Sequence, residues 1–427
     1  MMQHRSGDHH PLHLFDSNVD RLSTDDRDRL QGMLDHQLGL LSCHKQELNL
    51  KTISKKEFNA LAKEMSESLR CELQLALEDM EFVSECWCLI HEKSCPVTPR
   101  MDPELAAFYW VEGAGTICKP FSSMSTNPPW CDPSTLSTLT WAYSIRFFEP
   151  DEIQQECVSN FHHQVFFEIF GKVDCAIKNP WAKPLPENAP YRGYESRMQN
   201  FSPTDLGVPT ERCRKYCNFK LHWSPGTPMS FEDLFYRRMV ACPSMFCVAP
   251  DTIHKIEIME IEPRVQKKVR SQQFTDDSST AGLGDGGYYR LEDYRRLAIA
   301  NGLLDPSTNT WNVPIAICNL MQNPRMGYGR VHTHEFPAIL QQSNLFDLVN
   351  EKPITVAEMW LVQGFPRPGL PGIPDALCQQ FPYGSLIAST HEEMSRENKL
   401  PLRVQKSTIG NSMHKAQIGH WIMATIM

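Results

Sequence analysis

The sequence lacks the apolar segments that membrane-spanning and secreted proteins carry. No uninterrupted run of about 18 apolar residues occurs in the 427-residue chain. Its start, MMQHRSGDHHPLHLF, also lacks the apolar core of a signal peptide. We therefore expect an intracellular protein without membrane partners, located in the nucleus if its source is eukaryotic.

Basic residues are not in excess either. The formal net charge is −9 and the isoelectric point is about 6.0, so the whole chain has no general attraction for nucleic acid. A nucleic-acid partner would need a locally basic surface. The run RVQKKVR at 264–270 is one candidate, although a solvated surface is the simpler interpretation of that run taken alone.

Glycine is scarce in the first quarter of the chain. Only Gly7, Gly32 and Gly39 precede Gly113, and none of them is spaced as G-x-G. The later stretch GAGTICKP contains Gly113 and Gly115 but not the Gly-Lys-Ser/Thr ending of a phosphate-binding loop. The sequence therefore contains no glycine-rich nucleotide loop before residue 113.

Cysteine, in contrast, is plentiful, with 15 residues. In an intracellular chain these are expected to be free thiols, metal ligands or a nucleophile rather than a disulfide framework. One tight cluster, CWCLIHEKSC, contains Cys86, Cys88, His91 and Cys95, which are zinc-ligand residue types. Because its short spacings lack the usual two separated ligand pairs, we favour reduced, partly buried thiols and expect no metal.

The pattern of apolar and turn residues divides the chain into four parts. Residues 1–99 are mostly helical: apolar residues recur at three- and four-residue steps within a helical stretch predicted over 24–90. Residues 100–216 alternate short apolar runs with turn residues, which predicts an α/β sheet. Residues 217–352 are irregular, and residues 353–427 are ordered again.

A possible reactive cysteine lies in GAGTICKPFSSM. The preceding apolar run AAFYWVEGAG predicts a buried strand that enters a glycine turn, and Cys118 follows it. Glu156 ends a candidate strand 38 residues later, and Arg212 and Arg214 are two residues apart, as on one face of a strand. Cysteine, carboxylate and guanidinium together are a usable set of nucleophile, acid and cation.

Five motifs in this order resemble those of cytosine-C5 DNA methyltransferases. They are TICKPFS at 116–122, ECV at 156–158, GVPTERCR at 207–214, ITVAEMWLVQGFP at 354–366 and TIGNSMHKAQIGHWI at 408–422. The resemblance covers the chain from about residue 105 to its C-terminus. It implies an α/β fold, a Rossmann-like sheet that uses S-adenosylmethionine, with a smaller target recognition domain inserted.

The resemblance also implies roles for individual residues. Cys118 would add to C6 of the cytosine, Glu156 would hold N3, and Arg214, with Arg212, would bind the ring O2. Residues 100–216 would then be the catalytic core, 217–352 the region that contacts double-stranded DNA and flips the base, and 353–427 a return to the core. The expected cofactor-binding residues are Pro120, Leu139, Gly410 and Asn411.

The chain departs from the family at several positions. Thr116 and Ile117 replace two prolines, Cys157 replaces the asparagine of ENV, and Thr210 replaces a glutamine. The FxGxG loop that holds the methionine part of S-adenosylmethionine has no counterpart before Gly113. We therefore expect weak cofactor binding, or a cofactor site that a second chain completes.

Three alternatives remain open. The chain could be a catalytically inactive relative that acts as a DNA-binding or regulatory protein, or a transfer RNA cytosine methyltransferase. About 140 residues between the arginines and ITVAEMW fit DNA better than transfer RNA. The third alternative, a zinc-organised interaction protein, depends only on the cysteine-histidine cluster.

Overall fold

The chain divides into two compact units. Unit 1 comprises Met1–Asn200 and Arg214–Thr227, and unit 2 comprises Phe201–Cys213 and Pro228–Met427. The computed structural model describes residues 18–89, 91–101, 109–116, 119–121, 127–171, 193–221, 241–255, 257–258, 285–327, 329–340, 342–365, 370–373, 401, 404–406 and 409. None of the helices in this part of the chain has the length and apolar character that a membrane span requires.

Unit 1 begins with two long helices, α1 (Thr24–Asn49) and α2 (Lys55–Glu78). Each has a serine cap: the hydroxyl of Ser23 accepts a hydrogen bond from the backbone of α1, and Ser54 forms a reciprocal capping box with Glu57. The predicted apolar stripe of α2 is confirmed, since the core contains Phe58, Leu69, Leu73 and Leu77.

The helical prediction is wrong after α2. Strand β1 (Glu85–Cys88) and strand β2 (Lys93–Pro96) form an antiparallel hairpin where helix was expected up to residue 90. The reason is local, because polar residues at 79, 81, 84 and 85 interrupt the apolar repeat that buries one helical face.

The main sheet of unit 1 has the strand order β3-β4-β6-β5. Strand β3 (Val111–Gly115) leads through helix α3 (Ser134–Phe148) to the parallel strand β4 (Glu152–Cys157). Strands β5 (Tyr194–Phe201) and β6 (Arg214–Leu221) follow, with β6 antiparallel to β4. The β3–α3–β4 unit is the building block of Rossmann-like sheets, and the predicted α/β class is confirmed.

Strand β3 is less buried than the sequence predicts. Its residues are half-buried or exposed because it is the edge strand of the described sheet, with β4 on one side only. The apolar run AAFYWVEGAG therefore does not form a fully buried strand. The described residues before β3 form helices and a separate hairpin instead of further strands of this sheet.

Strand β4 is fully buried although most of its residues are polar. Parallel strands buried on both faces are usually apolar, so each polar side chain here needs a partner. Glu152, at its start, accepts hydrogen bonds from the hydroxyl of Tyr109 at 2.8 Å and the amide of Asn218 at 2.7 Å. Such a strand is built to hold polar groups in fixed positions.

A buried ion pair joins the N-terminal segment to the sheet. Arg21, just before α1, lies 2.7 Å from Glu112 of β3 and donates a second hydrogen bond to Ser144 of α3, also at 2.7 Å. The side chains of Arg21 and Glu112 are 4% and 14% exposed. Residues 18–78 are thus an integral part of unit 1.

Unit 2 consists of short elements around its own cores. Its three-stranded sheet has the order β11-β10-β9, and a second hairpin pairs β7 with β8. The strands are β7 (Leu304–Asp305), β8 (Thr310–Trp311), β9 (Ile317–Asn319), β10 (Leu345–Asp347) and β11 (Lys352–Pro353). Two of the helices of unit 2 are Asp285–Ala300 and Val356–Val362.

The ITVAEMWLVQGFP motif has a structural role in unit 2. Thr355 caps the helix Val356–Val362 and forms a capping box with Glu358, whose other carboxylate oxygen accepts a hydrogen bond from the backbone of Ala249. Gly364 follows with φ 86°, a conformation that favours glycine. The predicted domain boundary after residue 216 lies inside β6, and the four-part division remains a prediction.

Candidate active site

The carboxyl ends of β3 and β4 lie side by side. In the parallel register Gly115 pairs with Glu156, and the backbone N–H of Thr116 donates to the carbonyl of Glu156 at 3.1 Å. The turn that leaves β3 therefore begins directly beside the end of β4. In open α/β sheets this is the edge at which ligands bind.

Glu156 forms an ion pair with Arg214. The Nε atom of Arg214 lies 3.0 Å from Oε1 of Glu156, and the two side chains are 13% and 9% exposed. The register explains the contact: Glu156 pairs directly with Tyr216 of the antiparallel β6, so Arg214 is its diagonal neighbour on the same face. Burial weakens screening by water and strengthens this pair.

Cys118 itself lies outside the described residues, but the chain on both sides of it is anchored. Thr116 is bonded to the end of β4, as described above. On the other side Phe121 is buried, with its ring centroid 4.6 Å from that of Phe161 and 5.0 Å from that of Trp130. Only four residues separate these two anchors.

A buried hydrogen-bond network supports Thr116. Its hydroxyl accepts a hydrogen bond from the amide of Gln155 at 2.6 Å, and Oε1 of Gln155 lies 2.9 Å from Nε2 of His163. The other ring nitrogen of His163 lies 3.0 Å from the carbonyl of Phe161. Burial, and to a lesser extent Lys215, lowers the pKa of His163 to about 4, so the ring is neutral at pH 7 and its single N–H donates to one of these two oxygens.

Cys157, which stands where the family has asparagine, also faces this turn. Its buried thiol donates to the carbonyl of Thr116 at 3.6 Å, a distance suited to sulfur. The residue after Glu156 therefore still contacts the backbone two residues before Cys118. This contact offers a physical reason why the replacement is compatible with the turn.

Arg212 and Arg214 do not share a strand, contrary to the sequence interpretation. Strand β6 begins at Arg214, and residues 211–213 precede it. Arg212 belongs to unit 2, where its guanidinium donates to the carbonyl of Ile339 at 3.1 Å and its side chain is buried. Thr210, just before, forms a bridge with Phe336.

Of the four predicted cofactor-binding residues, two lie within the described part of the chain. Pro120 is buried in a short 3-10 helix, Lys119–Phe121. Leu139 is fully buried in the core of unit 1, where packing accounts for it. Gly410 and Asn411 lie outside the described residues, as does the basic run 264–270. The described part of the chain contains no glycine turn before β3 that would cradle S-adenosylmethionine, and nothing in it indicates a second chain.

Two groups of described residues have the ligand types and proximity for a metal ion. One consists of Cys88, His91 and Cys95, and the other of Glu211, His332 and Glu335. In the second group Nδ1 of His332 lies 3.9 Å from Glu211 and 3.7 Å from Glu335. Burial lowers the pKa of His332 although Glu211 and Glu335 act in the opposite direction, so the ring is held neutral at pH 7 despite its two carboxylate neighbours.

Sequence reasoning missed three residues of the candidate active site. Gln155 and His163 lie in none of the five motifs that carry the resemblance. Thr116 was noted only as a replacement of a proline. Their contacts depend on the β3–β4 register and on the return of the chain after β4, which residue spacing does not show. The only available signal was the run of polar residues in β4, which is unusual for a buried parallel strand.

Comparisons with known proteins find only distant structural similarity. No protein-family model matches the chain, and no curated protein matches it. One similar solved structure is that of the Entamoeba histolytica methyltransferase EhMeth, at 15% sequence identity. The match covers 77% of this chain and 79% of that chain, and its TM-score is 0.35. The S. pombe Dnmt2 methyltransferase has 12% identity, covers 77% and 81% of the two chains, and gives a TM-score of 0.34.

A further similar structure is an E. coli prophage protein described as a putative DNA modification methyltransferase. It has 12% identity, covers 70% of this chain and 77% of that chain, and gives a TM-score of 0.26. Scores this low do not establish a common fold by themselves. The function proposed below therefore depends on the residues of this chain.

Proposed function

We propose that this protein transfers a methyl group to C5 of a cytosine base through a covalent adduct with Cys118. The observation that supports this most is the buried Glu156–Arg214 pair at the end of β4. Glu156 is bonded through its backbone to Thr116, two residues before Cys118. A carboxylate and a guanidinium from distant parts of the sequence thus meet at the edge of the sheet from which the segment that contains Cys118 departs.

The chemistry explains why these three groups belong together. C5 of cytosine is a poor nucleophile, and addition of the Cys118 thiolate to C6 moves an electron pair to C5. Glu156 favours this addition by holding N3 in its protonated form, and Arg214 binds the ring oxygen O2. After C5 has gained a methyl group, a base removes its proton and the thiolate leaves.

The methyl donor in this proposal is S-adenosylmethionine, which supplies a methyl group bound to a positively charged sulfur. The described residues do not form a glycine-loop cradle for it, so we derive no step from its binding geometry. Its contacts with Pro120, Leu139, Gly410 and Asn411 are proposals from the resemblance alone. The missing loop leads us to expect weak affinity, which calorimetry with the purified chain would measure.

The neutral His163 and the Gln155 amide act on the position of the turn and not on the base. They hold the hydroxyl of Thr116, while the backbone of Thr116 is held by Glu156. A nucleophile must be placed within a few tenths of an ångström of its target for efficient reaction. This network is the part of the fold that would supply such precision.

The substrate that we favour is double-stranded DNA, from which the target base would be flipped into the site. Residues 217–352 would contact the duplex, and Arg212 is a candidate contact beside the base. Parallel assays with a cytosine-containing duplex and with unmodified transfer RNA distinguish the two nucleic acids. Methyl transfer to RNA alone would overturn the DNA assignment and keep the chemistry.

The experiment that tests the proposal compares Cys118→Ala with the matched variant Cys71→Ala. Cys71 is an exposed thiol on helix α2 of the same unit. We expect transfer of labelled methyl groups to disappear in Cys118→Ala and to persist in Cys71→Ala. Equal activity of the two variants would refute nucleophilic catalysis by Cys118, and wild type without activity on either nucleic acid would favour the inactive-relative alternative.

A further inference from the structure

The β1–β2 hairpin of unit 1 brings together three side chains that the proposed methyl transfer does not use. Cys88 is the last residue of β1, Cys95 lies in β2, and His91 belongs to the loop between the strands. Their ligand atoms all lie within 4.8 Å of one another. Both sulfurs are within reach of the same ring nitrogen, Nδ1 of His91, at 3.4 Å for Cys88 and 3.5 Å for Cys95.

These distances fit a tetrahedral zinc ion. With Zn–S bonds of about 2.3 Å and Zn–N bonds of about 2.0 Å, the sulfur-to-nitrogen edge of the tetrahedron measures about 3.5 Å. The two observed edges agree with this value. Hydrogen bonding is a poorer account, because one imidazole nitrogen carries either one hydrogen or one lone pair and cannot fully serve two thiols.

The surroundings also favour a bound cation. Cys88 and Cys95 are 0% and 3% exposed, so their ionised forms would be costly without a counter-charge. Two thiolates and a neutral imidazole exactly offset a divalent cation in charge. Sulfur and nitrogen ligands select zinc over magnesium or calcium, which prefer oxygen.

The hairpin gives such an ion a structural purpose. Two four-residue strands with a short loop are marginally stable on their own. A metal that joins the end of β1, the loop and β2 would cross-link all three parts. Zinc sites with this role add directly to folding stability.

We infer that Cys88, His91 and Cys95 bind one zinc ion, with a water molecule as the fourth ligand. Cys86 is not a ligand in this assignment, although it pairs directly with Cys95 across the hairpin. Its thiol lies outside the three-residue group and donates instead to the backbone carbonyl of Asp20 at 3.3 Å. Cys86 is therefore a matched control: a buried cysteine on the same face of the same hairpin.

The test measures zinc in the full chain purified under reducing conditions and reconstituted with zinc sulfate. Elemental analysis should find one equivalent in wild type and in Cys86→Ser, and background levels in Cys88→Ser and Cys95→Ser. Circular dichroism verifies that each variant is folded. Wild type without zinc, Cys88→Ser or Cys95→Ser with full zinc, or equal loss in Cys86→Ser would each overturn the assignment.

Cobalt provides a second readout that does not need the variants to fold. Titration of the metal-free wild-type chain with Co²⁺ should produce a thiolate-to-cobalt charge-transfer band that saturates at one equivalent, together with the visible bands of a tetrahedral ion. Zinc should then displace cobalt and abolish both signals. Absence of the thiolate band would overturn the site even if purified protein contained zinc.

Discussion

Two diagonal cross-strand pairs in unit 1 have opposite electrostatics. Glu156 and Arg214 are diagonal neighbours on β4 and β6, and Cys88 and Cys95 are diagonal neighbours on β1 and β2. The first pair carries opposite charges that attract each other. The second pair repels once its thiols ionise, and it needs a cation between them. The strand register brings the members of each pair together. Their charges determine whether the two side chains stabilise each other or need a bound cation.

The two pairs also differ in how far apart their members lie in the chain. Glu156 and Arg214 come from strands separated by α4 (Gln164–Phe166) and β5, so their contact requires the assembled sheet. Cys88 and Cys95 lie within one hairpin and meet as soon as it forms. We therefore expect loss of the Glu156–Arg214 pair to affect the assembled sheet and the activity. Loss of the Cys88–Cys95 pair should affect the stability of the hairpin.

The largest effect that follows from this comparison is on activity. Glu156→Gln removes the acid that holds N3 and should lower the rate of methyl transfer by about 100- to 10,000-fold. The matched variant is Glu112→Gln, which likewise removes the negative charge from a buried ion pair, the one with Arg21. We expect Glu112→Gln to destabilise unit 1 and to keep most of the activity of the folded protein.

Steady-state methyl transfer at saturating substrate, corrected for the folded fraction, measures this difference. If the two variants lost activity equally, the contribution of Glu156 would be structural, and the assignment of the pair to catalysis would fail.

The second prediction concerns removal of the metal from the hairpin. An ion present at 1,000 times its dissociation constant stabilises the folded state by about 4 kcal/mol. A chelator should therefore lower the melting temperature of wild type and of Cys86→Ser, and should leave that of Cys88→Ser unchanged. A chelator effect of the same size in Cys88→Ser would contradict a role for these ligands.

The third prediction is a pH dependence that arises from His163. Its pKa is about 4 in the folded state and about 6.5 when unfolded, so the unfolded chain binds more protons between these values. The contribution of His163 is fully present above pH 6.5 and is lost as the pH falls toward 4. At pH 5 this amounts to about 2 kcal/mol relative to pH 7.

Urea unfolding at pH 7 and pH 5 measures the loss for wild type, His163→Asn and the control His36→Asn, at an exposed position on α1. His163→Asn should lose less stability on acidification than the other two proteins. An identical loss in all three would show that His163 is not buried as a neutral ring.

The smallest predicted effect is that of Thr116→Val. This nearly isosteric change removes the hydroxyl to which Gln155 donates and leaves a buried amide N–H unpaired, at a cost of about 1–3 kcal/mol. We expect kcat to fall about tenfold through misplacement of the turn, with unchanged affinity for nucleic acid. Thr52→Val, which alters an exposed hydroxyl at the end of α1, should change neither quantity.

The sequence was sufficient for the elements that depend on local pattern. The stripe of α2, the α/β class of residues 100–216 and the position of Glu156 near the end of a strand all follow from periodicity and turn residues. The hairpin at 85–96 could not be predicted in this way, because its strands have only four residues each and their pairing is set by the turn.

Contacts that depend on register or on long-range pairing were not predictable. Arg212 and Arg214 have the spacing of one strand face, yet β6 begins at Arg214, and Arg212 precedes it in a segment whose Thr210 forms a bridge with Phe336. The support of Thr116 by Gln155 and His163 likewise requires the parallel pairing of β3 with β4. Spacing in sequence carries no information on either pairing.

The central claim is that Cys118 forms a covalent bond with cytosine. It is tested most directly with a duplex that contains 5-fluorocytosine, because the fluorine at C5 cannot leave as a proton and the adduct persists after methyl transfer. Wild-type protein incubated with this duplex and S-adenosylmethionine should form a complex that survives denaturation, and Cys118→Ala should form none. A complex of equal yield in both proteins, or none in wild type despite measured binding of both substrates, would contradict the claim.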